Sequence, residues 1–528
     1  MSGKKLEKNT LLCCGIFALY AVLTFIGALN HELWFDEAQA WVIVRDNDIN
    51  GIFRAMSYEG HPPLWYMILY IPAHLGLPCT VMPYISWVIT AFAGAVIMFK
   101  APFHVVTRTA VLFSGGFLFL NSVISRVYCL VNLLVVLIAW LYPKRKKYPV
   151  LYGLLVALLA NTHICMSGFV GIIGIFMIID LFSGFRAKET KQKIKEITGL
   201  AVSGAGVLIM MIPLLDSLSL NSTASGIELS AGEVANSFLG SFLNNSLSML
   251  DYGMDFQVIR TESIGEGILS GFMAAAFVVM IIIMRHKTRP FFMLLFFWIF
   301  YTITTEVFWV TMPNRAVIFA LMYFIVIWTA EYEPQNNASA VWSKIDLNTD
   351  TKAIKKLIGF IETSDKNFRR SYTAIITAVM LVSVPTGAYY LFSDYVKPFS
   401  LAEETVEYIQ NNFPEDSVIA TYSDSGYAQI SAYMPEIRFY SLYYGRFYTF
   451  CSNETISEAA STDKIYNDLK DQDNIYFLYA CSNIEFQSTR KMIHIIRGGM
   501  PYGANGRYVE FSEFVSDEEH IEKIKSAF

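Results

Sequence analysis

Apolar runs of about 20 residues, each long enough to cross the ~30 Å hydrocarbon core of a bilayer, recur between residues 11 and 392 and limit what this chain can fold into more than any other feature. Segments 11–29, 81–99, 109–123, 126–142, 149–163, 164–182, 197–215, 265–284, 290–309, 314–330 and 372–392 read as membrane spans. Composition agrees: 54% of residues are hydrophobic, 16% are charged and the mean hydropathy is +0.42, values foreign to a soluble domain of this size. The net charge of -5 offers no basic footprint, so no nucleic-acid partner is expected. The first run follows Lys4, Lys5 and Lys8 and lacks a small-residue cleavage site, which makes it an uncleaved first helix.

Residues 62–77, PPLWYMILYIPAHLGL, are apolar but short, open on two prolines and carry Pro72 and His74. Whether they cross the membrane decides the orientation of everything that follows. If they lie flat, the basic stretches at 4–8, 144–147 and 186–195 all fall on one side, as the positive-inside rule requires; if they cross, the asymmetry inverts. The flat placement makes 62–77 an interfacial helix on the outer face. The expected fold is an α-helical polytopic protein of the cell (plasma) membrane, with about eleven transmembrane helices and that interfacial helix. Its N-terminus and the polar linker 331–371 are cytoplasmic, and loops 30–80 and 216–264 are outside. The transmembrane domain covers residues 1–392. Residues 393–528 then form a small extracytoplasmic α/β domain, since LAEETVEYIQNNF is helix-patterned and SVIATY, IRFYSLYY and NIYFLYAC read as strands.

No glycine-rich phosphate loop occurs in the tail, so no nucleotide site is expected there. The seven cysteines show no metal spacing; Cys451 and Cys481 could pair outside the membrane, with free thiols the expectation. No DxD triplet or His/Glu cluster has ligand spacing, so no metal or other cofactor is expected, although Asp36 and Glu59 could share a divalent ion.

Chemistry should be sought on the outer side. Loop 30–80 holds Glu32, Asp36, Glu37, Asp46, Asp48 and Glu59, and the adjacent pair Asp36-Glu37 follows the first span, flanked by Trp34, Phe35 and Trp41. An aromatic interfacial belt with solvated acids is the structural alternative. Acids held near hydrocarbon are costly, however, and tend to mark sites. Further on, EGHPPLWY places Glu59 and His61 immediately before the proline-started helix.

Together, WFDEAQAW at 34–41 and GHPPLWY at 60–66 resemble the signature of the GT-C superfamily of membrane glycosyltransferases, in its protein O-mannosyltransferase-like (family 39) and aminoarabinose transferase-like group. In that group an Asp-Glu pair follows the first helix and HPPL opens a membrane-surface helix. ISRVYCLVN at 124–132 resembles the group's Ser-Arg-Tyr segment, with Val127 intervening before Tyr128. The resemblance implies an inverting transferase that moves a sugar from a polyprenyl-phosphate donor to an extracytoplasmic acceptor: a cell-wall polymer, a lipid or a protein.

The residues permit that chemistry. A phosphate leaving group departs without protonation, so transfer needs one base for the acceptor hydroxyl and cations for the phosphate. Asp36 fits the base, with Glu37 and Glu59 orienting hydroxyls. Arg126 and Arg315, expected at outer helix ends, could grip a phosphate bidentately or else snorkel to headgroups. His61, Tyr128 and His163 complete the expected substrate-binding set, with simple packing the alternative for His163. A transporter or lipid flippase is the competing function, and it predicts charges deep within spans and repeated halves. The acids of this chain gather instead at one surface.

Overall fold

The computed structural model describes residues 3–59, 61–221, 275–276, 278–281, 284, 287–307, 313–334, 365–422, 427–451, 459–481, 492–497 and 508–527. Among them, five helices are long and apolar enough to cross a membrane: Asn9–Asn30, Cys79–Lys100, Ile164–Phe182, Thr190–Pro213 and Arg369–Val396. Shorter apolar helices, Tyr128–Lys144, Pro149–Ala160, Thr288–Tyr301 and Ile318–Ala330, pack among them. The chain is thus a helical, multi-pass membrane protein with a small C-terminal sheet. The expected span 265–284, loop 216–264 and linker 331–371 lie largely outside the described residues.

Helix α1 (Gly3–Asn30) leads into three helices that fill the expected loop 30–80: α2 (Phe35–Asp46), α3 (Ile49–Glu59) and α4 (Leu64–His74). At about 1.5 Å per residue, the 11 residues of α4 reach roughly 16 Å, about half of a bilayer core. Its Trp65, Tyr66 and Leu69 are buried while Ile71 is exposed, the pattern of a helix lying on an apolar boundary. Pro62 and Pro63 suit its start because the N–H groups they lack would have no intrahelical acceptor there.

Helix α5 (Met82–Lys100) is continuous, but the expected span 109–123 is not. It divides into α6 (Val105–Leu112) and a π-helical turn at Gly116–Leu120, and the chain then runs irregularly to α7 (Tyr128–Leu141). At this break the backbone of Gly115 comes so close to Gly387 that a Cβ on Gly387 would stand 2.8 Å from the Gly115 Cα. The break carries Ser125 and Arg126 toward α2. Helices α8 (Pro149–Ala160), α9 (Ser167–Phe182) and α10 (Thr190–Asn221) follow. Helices α8 and α10 touch through small residues, since a Cβ on Gly153 would meet the Gly199 carbonyl oxygen at 2.0 Å. Such close contact is how helices associate where lipid removes the hydrophobic drive between them. Helices α11 (Thr288–Val307), α12 (Pro313–Ala330), α13 (Asp365–Val382) and α14 (Val384–Val396) complete the bundle.

Beyond it, strands β1 (Val418–Thr421), β2 (Arg438–Ser441), β3 (Arg446–Tyr448), β4 (Ile475–Cys481), β5 (Met492–Arg497) and β6 (Tyr508–Glu513) form one sheet in the order β3-β2-β1-β4-β6-β5. Strand β1 runs parallel to β2 and β4, and the outer pairings are antiparallel. Because successive side chains face opposite sides of a strand, Ile419, Phe439 and Leu478 pack on α15 (Ala402–Asn412) and α16 (Ala428–Tyr433). Val418, Tyr440 and Phe477 pack on α17 (Thr462–Leu469) and α18 (Glu518–Ala527). The runs SVIATY, IRFYSLYY and NIYFLYAC therefore supply β1, β2 and β4. The Cys481 side chain, and with it the pairing considered for Cys451, falls outside the described residues.

This domain sits on α2. The Leu33 N–H donates to the Tyr433 hydroxyl at 3.0 Å, Arg45 donates to the Ser431 carbonyl at 2.6 Å, and the Glu403 N–H donates to Glu32 at 2.7 Å. Helix α2 is consequently buried from Glu37 to Val44, between the bundle and the sheet domain.

Candidate active site

Asp36 occupies the first turn of α2, where a carboxylate is favoured by the N–H groups and dipole of the helix start. Its side chain is 34% exposed and its carboxylate pairs with the guanidinium of Arg126, which is 9% exposed. Arg126 also lies 5.8 Å from the centre of the Trp34 ring. Next along the chain, Tyr128 opens α7 and is buried, with its ring 5.5 Å from that of His163. The His163 ring lies 5.3 Å from His61, just ahead of α4. The Cys165 N–H donates to His163 Nδ1 at 3.2 Å, which leaves the proton of a neutral ring on Nε2. Asp36 thus pairs with Arg126, and His61, His163 and Tyr128 form a run of neighbouring rings at the start of α7, two residues further along the chain.

Glu59 ends α3, where its Oε1 accepts from Gln39 Nε2 at 2.9 Å. The same Gln39 amide donates to the Cys451 carbonyl at 2.6 Å and accepts from the Cys451 N–H at 3.1 Å. Gln39 therefore ties Glu59 to the sheet domain. Arg315 lies in the first turn of α12, and its side chain falls outside the described residues.

Glu37 differs from its neighbour. It is fully buried and accepts from the Trp34 N–H at 3.0 Å, from the Ser125 N–H, and from His31 Nε2 at 2.9 Å. His31 Nδ1 in turn meets Asp394 Oδ2, near the end of α14, at 3.0 Å. Burial works against a charged His31. The Glu37 and Asp394 carboxyl groups, one on each ring nitrogen, prevail and push it up to about 10. The side chains of His31, Glu37 and Asp394 are shut off from solvent, with Phe399, Phe119 and Tyr390 packed around them. Burial also raises the Glu32 carboxyl to about 7, against the opposing hydrogen bonds from the 400–403 segment.

The sequence reading did not single out His31, Gln39, Ser125 or Asp394. His31 is visible in NHELWFDE only as a histidine beside the acids, Gln39 and Ser125 lie inside WFDEAQAW and ISRVYCLVN with no role given to them, and Asp394 carries no pattern. Among the described residues, no group of three His, Cys, Asp or Glu side chains is arranged to hold a metal ion.

No model of a known protein family and no curated protein matches this chain. Among solved structures it is similar to ArnT from Cupriavidus metallidurans, crystallised in the apo state. The likeness covers 97% of this chain and 99% of that one, at 12% sequence identity and a TM-score of 0.47.

Proposed function

We propose that this protein is an inverting membrane glycosyltransferase that moves a sugar from a polyprenyl-phosphate carrier to an extracytoplasmic acceptor. The observation that carries the reading is the Asp36–Arg126 pair: a partly exposed carboxylate and a nearly buried guanidinium, side by side at the end of the bundle roofed by the α/β domain. Transfer needs those two groups. The acceptor hydroxyl attacks the anomeric carbon while its proton passes to Asp36. The bond from that carbon to the phosphate oxygen breaks, and the phosphate keeps the electron pair and leaves as an anion held by Arg126.

Without substrate, Arg126 neutralises Asp36. A donor phosphate entering the site competes for the guanidinium fork, which suits a bidentate grip, and thereby frees the carboxylate to accept the proton. Binding the donor and arming the base then become one event. His61, Tyr128 and His163, whose rings adjoin one another at the start of the helix that follows Arg126, are assigned to the sugar; Glu59, held by Gln39, is assigned to acceptor or sugar hydroxyls. Glu37 keeps its place in the reacting group as an anchor rather than as a proton carrier, because internal donors occupy its carboxylate. Arg315 is proposed as a second phosphate contact.

The test uses purified protein and a panel of labelled polyprenyl-phosphate sugars, with release of the polyprenyl phosphate as the readout. At least one donor should be consumed by the wild-type protein. Neither binding nor turnover with any of them would remove the lipid-linked donor from the reading.

A further inference from the structure

Glu37 and His31 have a place in the fold that the proton-transfer scheme does not use. The Glu37 carboxylate accepts from two backbone N–H groups that belong to different parts of the chain, Trp34 and Ser125. Trp34 immediately precedes the helix whose first turn carries Asp36, and Ser125 immediately precedes Arg126. One carboxylate thus clamps together the two backbone stretches that present the working pair. Trp34 is fixed to α2 as its N-cap, where Glu37 closes a capping box, whereas Ser125 lies in the break between the π-helical turn and α7 and is not held by a regular element, so the contact from its N–H is what joins that break to α2.

We propose that His31 is the positioning residue of this site, fixing Glu37 across the two backbones and thereby setting Arg126 against Asp36. The proposal rests on the reading of Asp36 and Arg126 as the reacting pair. A carboxylate that deep in an apolar box needs a hydrogen-bonding, cation-forming partner, because a buried charge left unpaired is strongly disfavoured. The 2.9 Å contact from Nε2 supplies it. The second contact, 3.0 Å from Nδ1 to Asp394, fixes the plane of the ring and extends the clamp to α14. The helix that leads into the sheet domain is therefore joined to the site through one imidazole, across 363 positions of sequence.

The test reads the juxtaposition directly, with Asp36→Cys as the probe. A thiol beside a guanidinium has a larger thiolate fraction and alkylates faster at neutral pH. Labelling with a water-soluble alkylating reagent is followed at position 36 by peptide mass mapping, in detergent-extracted protein. Adding Arg126→Gln should slow the reaction several-fold, and adding His31→Gln or Glu37→Gln should slow it comparably. His31→Gln combined with Arg126→Gln should slow it no further, because His31 acts only through the placement of Arg126. Asp394→Asn, which keeps shape and loses one charge, should give a smaller slowing in the same direction and serves if the His31 variants do not fold. An unchanged rate in His31→Gln, or effects of His31 and Arg126 that multiply, would overturn the proposal. Sugar transfer by His31→Gln should fall by up to about 10²-fold, the scale of a small misplacement of reacting groups. Slowed labelling in a protein that uses no lipid-linked sugar would keep the clamp and discard the transferase.

Discussion

Two acids, Asp36 and Asp180, sit at opposite ends of the bundle and are treated in opposite ways. Helix α9 begins beside His163 and carries Asp180 roughly 20 Å away, near its far end. There Arg289 grips Asp180 with two contacts of 2.9 and 2.6 Å, Arg145 adds one of 3.0 Å and Lys146 one of 3.3 Å, and only 10% of the side chain is exposed. Arg145 also stacks 4.0 Å from the centre of the Tyr142 ring and pairs with Glu333. These contacts tie α9 to the start of α11 and to the turn after α7. Asp36 meets a single arginine and keeps a third of its side chain open. An acid whose oxygens are saturated by three cations has no capacity for a substrate and acts as a staple. An acid with one cation and open surface can exchange that cation for an incoming anion.

The widest separation between the two should appear in catalysis. Asp36→Asn keeps shape and removes the proton acceptor, so transfer should fall by about 10²–10⁴. Asp180→Asn should leave the rate within a few-fold. If Asp36→Asn stays within about threefold of wild type at equal expression, the base assignment is lost.

Arg126 gives the next effect. Replacing it by Ala should lower transfer by about 10²-fold, the cost of removing one charge-stabilising donor. Arg126→Lys should restore only part, since a point charge cannot reproduce the planar fork. Full rescue by Lys would mean that Arg126 supplies charge alone.

Stability should reverse the ranking. Losing the charge on Asp180 strands three cations, and melting in detergent should report a loss of about 1.5–3 kcal/mol, the range for hydrogen bonds to charged groups. Asp36→Asn, which unpairs one cation beside a partly open carboxylate rather than three, should lose less. Equal melting points for the two variants would erase the distinction between staple and site.

The smallest effect concerns the seam between α2 and the sheet domain. Glu32 has its carboxyl raised to about 7 from 4.5, mainly by burial. The folded state thus favours the protonated form. Its contribution is fully present below pH 4.5 and is lost as pH rises through 7. Glu32→Gln should therefore melt like wild type near pH 4.5 and above it near pH 8. A difference that does not change between those pH values would exclude Glu32 as the titrating group.

The sequence by itself determined what depends on neighbours along the chain. Apolar runs of membrane length, the prolines that start α4, and the alternation in SVIATY and NIYFLYAC set local structure through burial and backbone sterics. It also marked Asp36 and Arg126, which the fold pairs, and His61, His163 and Tyr128, whose rings it brings side by side. Tertiary structure alone decided the rest. The adjacent acids Asp36 and Glu37 look alike in sequence, yet α2 turns one toward solvent and the other into an apolar box, because residues next to each other on a helix cannot share a face. The break in the expected span 109–123 arises where Gly115 meets Gly387, and it is this break that delivers Arg126. His31, Gln39 and Asp394 follow no periodic pattern, since their partners come from residues far away in the chain. Which buried charge is balanced by which partner is settled only when the helices close around it, because the desolvation that makes the pairing necessary does not exist in the extended chain.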